Sequence, residues 1–344
     1  MPEKCPDQVC PYRSYMRKTI AVLLVATGLA GLSYFFVDMR APAQQARQRV
    51  TIAVDQQPLS GLLFIADERG YFVAEGVDVE LRPFSHGKRA VDAVAKGEVD
   101  LATTAEMPFI TAARAGRGLV AIASIESSDQ QNFIVARRDR GIERPRDIIR
   151  KRVAIIPGTS SEIFLDAFLI THGIAKSKVE LVPHRIETIA AALENGTADA
   201  VSTWGLTTAQ LKQKLGPNVQ IFSEEGLYVR NWLLIARRER AATQQASIQK
   251  ALRALIRAED YAAANPQDAV NIVARRLGVE PTLLSTIWPN LSFKVGLHQY
   301  LLINLENHAR LSRSNEFERD QNFYSFLMLE PLLAVDSARV TAIH

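Results

Sequence analysis

One short pattern occurs twice in this chain of 344 residues. Residues 97–104 read GEVDLATT and residues 196–203 read GTADAVST, 99 positions later. Each copy places an aspartate three residues after a glycine and ends an apolar pair with two hydroxyl residues. The flanking sequence repeats as well, since VELRP at 79–83 corresponds to VELVP at 179–183. The repeat predicts two halves of like topology, with chance similarity between βα units as the alternative.

Strand and helix patterns alternate within both halves. In the first half, strands are predicted at residues 50–54, 77–81 and 99–102, with apolar residues at helical spacing between them. Short strands that alternate with helices are typical of α/β folds in which helices cover both faces of a sheet. The sequence therefore predicts an α/β protein with two lobes, each built on a mainly parallel sheet.

Two similar strands bracket the second half, NFIVARR at 132–138 and NWLLIARR at 231–238. We interpret them as the strands by which the chain enters and leaves the second lobe, although two ordinary buried strands would have the same pattern. The residues that follow have helical periodicity and are expected to pack on the first lobe. The predicted boundaries are a linker at 38–49, the first part of lobe 1 at 50–128, lobe 2 at 129–238, and the return of lobe 1 with C-terminal helices at 239–344.

The N-terminal region contains an uncharged stretch, residues 20–37. As a helix this stretch is about 27 Å long, just enough to cross the hydrocarbon core of a bilayer. The basic segment before it, residues 1–19, is expected to stay in the cytoplasm, so that the rest of the chain is exported to the periplasm. The stretch is either a retained membrane anchor or the core of a signal peptide with a cleavage site at 41–43.

Composition excludes several classes of protein. Lys and Arg number 41 against 37 Asp and Glu, a net charge of +4, which gives little support for nucleic-acid binding. The only cysteines, Cys5 and Cys10, precede the apolar stretch, so no disulfide is expected in the exported part. The sequence contains neither a nucleophile elbow, a phosphate-binding loop nor a histidine cluster. We therefore expect no cofactor and no metal, and binding rather than enzymatic activity.

Hydroxyl residues mark the points where predicted strands lead into helices. Ligands of parallel α/β sheets collect beyond the carboxyl ends of the strands, where helix N-termini offer free N–H groups. These junctions predict ligand contacts from both lobes, at Gln56, Ser60, Thr104, Ser160, Ser161 and Trp204. Helix capping is the alternative for the hydroxyls, because Thr103 and Thr159 each precede a glutamate at the spacing of a capping box.

Several segments together resemble one transporter-associated family. They are GYF at 70–72, EGVDV at 75–79, GEVD at 97–100, EMP at 106–108, and GTADA at 196–200 with Trp204. This succession resembles the periplasmic substrate-binding proteins of nitrate, aliphatic sulfonate and taurine ABC transporters, which are related to binding proteins for thiamine-pyrimidine precursors. The resemblance covers about residues 50–340.

The resemblance implies a type II periplasmic-binding fold, with two lobes, two crossover strands and a central cleft. Carried over residue by residue, it implies a pocket formed by Ser60, Thr104, Glu106, Ser160 and Trp204. The pair Thr103-Thr104, and Gly205-Leu206 after the tryptophan, depart from the family pattern and leave the ligand open. The same resemblance implies delivery of the ligand to an inner-membrane ABC permease.

The expected function is that of a monomeric solute-binding protein that takes up a small organic anion or zwitterion. The alternatives are a protein that binds a thiamine-pyrimidine-type ligand, an enzyme that makes one on the same fold, and a ligand sensor tethered to the membrane. A retained stretch at 20–37 would make the membrane itself a partner of the chain.

Overall fold

The computed structural model describes residues 48–311 and 322–343. The predicted anchor or signal core at 20–37 lies outside these residues. Among the helices that are described, none has both the length and the apolar character needed to span a bilayer.

Eleven strands and thirteen α-helices make up the described part of the chain. The strands are β1 (Arg49–Asp55), β2 (Asp78–Phe84), β3 (Leu101–Ala105), β4 (Leu119–Ser128), β5 (Asn132–Arg137), β6 (Arg152–Ile155), β7 (Glu180–Pro183), β8 (Ala200–Trp204), β9 (Val219–Phe222), β10 (Arg230–Arg237) and β11 (Ser292–Gly296). The helices are α1 (Gly61–Glu68), α2 (Tyr71–Ala74), α3 (Gly87–Lys96), α4 (Glu106–Arg114), α5 (Ser160–Thr171), α6 (Ile186–Glu194), α7 (Gly205–Leu215), α8 (Arg238–Thr243), α9 (Gln245–Ala264), α10 (Pro266–Leu277), α11 (Pro281–Ile287), α12 (Gln299–Leu311) and α13 (Glu330–Leu333). A 3-10 turn, Pro58–Ser60, leads into α1.

The strands form two sheets of matching topology. The first has the order β11-β4-β10-β3-β1-β2, and the second has the order β7-β6-β8-β5-β9. Read from β2, the first sheet runs β2-β1-β3-β10-β4, which corresponds strand for strand to the second. The internal repeat in the sequence therefore reflects a repeated fold. Both sheets are mixed rather than purely parallel, because β10 and β11 run against the other strands of the first sheet and β5 runs against those of the second.

The chain crosses between the sheets at residues 129–131 and 223–229. Strand β5 enters the second sheet as expected, but β10 belongs to the first sheet and not to the lobe predicted at 129–238. The reason is long-range pairing, since β10 hydrogen-bonds to β3 on one side and to β4 on the other. Its residues Arg230–Ala236 are consequently buried at the centre of the first sheet.

The repeated glycine and aspartate organise the turn before β3 and before β8. Gly97 and Gly196 have φ angles of +77° and +72°, a region that favours glycine, and each follows a helix. Asp100 then accepts the backbone N–H of Thr51 at 2.8 Å, and Asp199 accepts that of Arg152 at 3.0 Å. Each aspartate thus holds the beginning of the neighbouring strand, β1 or β6.

The helices after β10 cover the first sheet and reach the second half of the molecule. Helices α9 and α10 pack on α1, and α12 packs on α4. Helix α11 also contacts α7, and α12 contacts α5. The C-terminal region therefore adds contacts between the two halves beyond the two chain crossings.

Candidate ligand-binding site

A pocket lies between the ends of the two sheets. With its open mouth and the adjoining solvent included, its empty space is about 450 Å³. It is lined by Asp55, Gln57, Leu59, His86, Gly87, Lys88, Ala105, Pro108, Thr159, Ser160, Trp204, Arg230 and Trp232. Both halves of the repeat contribute to this set.

Four α-helices begin at the pocket. Their N-cap residues are His86 for α3, Ala105 for α4, Thr159 for α5 and Trp204 for α7, and all four line it. Gln57, the N-cap of the 3-10 turn before α1, lines it too. Only the Thr159 side chain caps its helix, by accepting the N–H of Ser161 at 3.2 Å. Free helix N–H groups carry partial positive charge, so their convergence favours an anion.

Charged side chains reinforce this preference. Arg230 is 2% exposed and its Nη2 lies 3.3 and 3.2 Å from the two carboxylate oxygens of Glu126, while its Nε, which is buried, has no partner among the described residues. The side chain of Lys88 extends to the second half of the molecule. Its Nζ lies beside Gly158, 3.3 Å from where a Cβ on that glycine would be. Burial raises the pKa of Glu126 to about 7, although Arg230 opposes this shift.

Asp55 is the one carboxyl group in the lining. Burial raises its pKa to about 8, and the backbone N–H of Gly87 and the charge of Arg230 offset only part of the increase. Its Oδ1 has no partner in the described part of the chain. Burial also lowers the pKa of His86, an effect to which the charge of Arg89 adds. At neutral pH the pocket therefore contains a neutral imidazole, a carboxyl group that is mostly protonated, and two cationic side chains.

Of the residues predicted from the sequence, Ser160 and Trp204 line the pocket. Nε1 of Trp204 donates to Oγ of Ser160 at 2.9 Å. Ser60 lies just behind the lining, where its Oγ accepts the indole N–H of Trp232 at 3.2 Å. These predicted residues therefore come together, although Ser60 contacts the site through a tryptophan.

The other predicted residues point elsewhere. The Nε2 of Gln56 faces the carbonyl oxygen of Val54, and the adjacent Gln57 lines the pocket instead. Thr104 donates its hydroxyl to the carbonyl oxygen of Ala105 and lies beneath Gly87. Ser161 is buried and hydrogen-bonds to β8. Since adjacent residues on a strand or helix point in different directions, only one of each neighbouring pair faces the cavity.

Glu106 is not in the pocket lining and contacts the second crossing instead. It accepts hydrogen bonds from the hydroxyl of Tyr228 and from the backbone N–H of Asn231, and Nδ1 of His308 lies 3.3 Å away. Burial alone would raise the pKa of Glu106, but these partners outweigh burial and lower it. The Tyr228 and His308 rings stack at 4.1 Å. The cluster thus fixes residues 223–229 to the first half of the molecule.

Several pocket residues were missed by the sequence analysis, among them Asp55, Lys88, Arg230 and Trp232. Asp55 directly follows the apolar run of β1, which is the position where a ligand contact is expected. Lys88 lies two residues after His86, in the first turn of α3. No local sequence pattern identifies Arg230 and Trp232 as pocket residues, because the long-range pairing of β10 with β3 and β4 brings them to the site.

Two mixed α/β sheets of matching topology, with two crossings and a pocket among helix N-termini, define the class of periplasmic-binding proteins. The structure is similar to that of the alkanesulfonate-binding protein SsuA from Xanthomonas axonopodis pv. citri bound to MOPS, with a TM-score of 0.68 and 17% identity. That similarity covers 86% of this chain and 98% of the other. The fold implied by the sequence resemblance is therefore confirmed.

The chain belongs to the NMT1/THI5-like family, whose profile matches residues 57–269. It is 25% identical over 225 residues to a binding protein of Brucella abortus (strain 2308), covering 64% of this chain and 69% of that protein. It is 27% identical over 158 residues to the taurine-binding periplasmic protein of Escherichia coli (strain K12), covering 46% and 49%. These relatives agree with the family that the sequence motifs indicated.

Proposed function

We propose that this protein is the extracytoplasmic solute-binding component of an ABC importer and that it binds a small organic anion or zwitterion. The convergence of helix N-termini on one pocket, together with Arg230 and Lys88, carries the proposal. Helix N-termini and a guanidinium group are the usual partners of sulfonate, nitrate and carboxylate groups. The taurine-binding relative supports the same class of ligand.

The two sheets and their helices act as the two lobes in this proposal. The lobes open and close at residues 129–131 and 223–229, and the ligand favours the closed state because it contacts both. The first lobe comprises residues 50–128 together with the chain from β10 onward, and the second comprises the residues between the crossings. Binding by hinge closure needs no oligomer, so the protein acts as a monomer.

The protein works in the periplasm and passes its ligand to an inner-membrane permease. The periplasmic relative and the shared fold support this location. Residues 20–37, if retained, tether the protein to the membrane and keep it close to that permease, an arrangement supported by the length and apolarity of this stretch.

Binding rather than turnover is proposed for the pocket. Oγ of Ser160 accepts the indole N–H of Trp204, and the hydroxyl of Thr159 donates to the carbonyl oxygen of Ile156 at 2.7 Å. Neither hydroxyl is hydrogen-bonded to a histidine in the way that an activated nucleophile requires.

Calorimetry and thermal-shift measurements on the full chain test this function. The panel contains nitrate, ethanesulfonate, taurine and benzenesulfonate, with choline as a cationic control. At least one anion or zwitterion should bind and raise the melting temperature, and Lys88→Ala should weaken it, while choline has no effect. A folded protein that binds choline, or that binds none of the anions, would contradict the proposal.

A further inference from the structure

Two tryptophans reach the pocket, one from each sheet. Trp204 ends β8 in the second sheet, and Trp232 lies on β10 in the first. Both indole N–H groups are already used, on Ser160 and Ser60 respectively. Because that N–H is the only hydrogen-bond donor of an indole ring, the two rings offer the pocket hydrocarbon surface.

The two serines occupy equivalent positions of the internal repeat, 100 residues apart. Both are buried, at 0% exposure for Ser60 and 2% for Ser160. The same arrangement, a serine at the start of a helix that holds an indole ring, is therefore built independently in each half.

The polar groups of the pocket are concentrated on the first half of the molecule. Asp55, Lys88 and Arg230 come from β1, α3 and β10. Two of their buried atoms, Oδ1 of Asp55 and Nε of Arg230, have no partner among the described residues. The lining thus combines these polar groups with two indole rings, and Leu59, Ala105 and Pro108 complete its apolar part.

We propose that the ligand is an organic anion with a flat aromatic body, which lies between Trp204 and Trp232 while its anionic group faces Arg230 and Lys88. This inference rests on the proposed function, since it specifies the ligand of the same pocket. A contact between aromatic rings strengthens binding by about two- to tenfold beyond the burial of apolar surface. Two such contacts should distinguish a flat ring from a puckered one of similar size.

Calorimetry on the full chain with three sulfonates tests the inference without any mutation. Benzenesulfonate and cyclohexanesulfonate share the anionic group and the ring size, but only the first has a flat ring. Ethanesulfonate carries the same anionic group on a short alkyl chain. Benzenesulfonate should bind about tenfold more tightly than cyclohexanesulfonate. Equal or tighter binding of cyclohexanesulfonate, or binding of ethanesulfonate alone, would overturn the aromatic inference while supporting anion binding. No binding of any of the three by folded protein would overturn the aromatic inference, and it would overturn the proposed function as well if nitrate and taurine also fail to bind.

Variants then assign the preference to the two rings. Trp204→Phe and Trp232→Phe should keep the preference for benzenesulfonate, whereas Trp204→Leu and Trp232→Leu should each reduce it about threefold. Ethanesulfonate affinity should change much less. Trp288→Leu is the matched control, because Trp288 packs on Phe293 at 5.0 Å and is not in the lining. Leucine variants that fold and keep the full preference would overturn the inference, and the wild-type comparison decides it if they do not fold.

Discussion

Ser161 and Ser202 hold each other through two reciprocal hydrogen bonds. The hydroxyl of Ser161 donates to the carbonyl oxygen of Ser202 at 2.7 Å, and the hydroxyl of Ser202 donates to the carbonyl oxygen of Ser161 at 2.6 Å. Ser161 also accepts the N–H of Ile156 at 3.2 Å. The pair therefore joins the start of α5 to the end of β8, next to the pocket residues Ser160 and Trp204.

Neighbouring serine variants should separate stability from binding. Ser161→Ala leaves a buried carbonyl oxygen and a buried N–H without partners, so it should lower the free energy of unfolding by about 1–3 kcal/mol. Ser160→Ala should cost less stability but weaken ligand binding, because the indole N–H of Trp204 loses the serine oxygen that accepts it. Urea unfolding and calorimetry measure the two effects. A larger loss of stability from Ser160→Ala than from Ser161→Ala would contradict this assignment.

Gly87→Ala should destabilise the protein and weaken binding. A Cβ at this position would lie 2.7 Å from Oγ1 and 2.9 Å from Cα of Thr104, and the backbone contact cannot be relieved by a rotamer change. We expect a loss of about 1–3 kcal/mol from overpacking, with displacement of the start of α3. Gly205→Ala is the control, since its Cβ would meet mainly the side-chain end of Gln131. A melting temperature lowered as much by the control as by Gly87→Ala would refute this reading.

The buried carboxyl of Asp55 should make stability depend on pH. Its pKa is about 8 in the folded protein against 3.8 for the ordinary group, so the folded state retains a proton that the unfolded chain releases. The stabilisation is complete below about pH 4 and is lost as the pH rises toward 8. Glu126, with a pKa near 7, adds to the same trend.

Unfolding measured between pH 5 and 8.5 tests this dependence. Asp55→Asn should reduce the decline in stability with increasing pH, because an amide does not ionise. Asp78→Asn, at an exposed position, should leave the decline unchanged. An identical pH profile for Asp55→Asn and wild type would show that Asp55 does not titrate in this range.

Ligand affinity should also depend on the protonation state of Asp55. A bound anion repels the ionised form of Asp55 and so favours its protonated form. The dissociation constant should therefore increase above pH 8, by up to about tenfold per pH unit, and Asp55→Asn should remove the increase. Calorimetry at pH 7, 8 and 9 measures the dissociation constant. Affinity that rises over this range would contradict an anion beside Asp55.

The buried pair of Arg230 and Glu126 should contribute to both folding and binding. Arg230→Met removes the charge that lowers the pKa of Glu126, so this buried carboxyl should take up a proton in the variant, and the loss of stability should be larger at pH 8 than at pH 6. Adding Glu126→Gln should recover most of the stability but not the ligand affinity. Recovery of both would show that Arg230 has no direct role in the pocket.

The repeat made the two similar halves predictable, because the alternation of strands and helices along the chain is a local property of the sequence. The place of β10 was not predictable in the same way: NWLLIAR marks a strand, but its pairing of Trp232 with Ala105 depends on residues more than a hundred positions away. The sequence also does not determine which of two neighbouring residues faces the pocket. Gln57 rather than Gln56, and Ser160 rather than Ser161, face the pocket because of where a turn or helix begins, a point that composition does not determine.

The central position of β10 affects how the protein can be made. Strand β3 gains its partner on that side only when residues 230–237 arrive, so the first sheet stays incomplete until the whole second sheet has been synthesised. A chain that emerges from its N-terminus, from a ribosome or through a membrane pore, would expose this apolar edge during most of its delivery. We therefore expect premature termination before residue 230 to yield an aggregating fragment rather than a half-sized protein that folds.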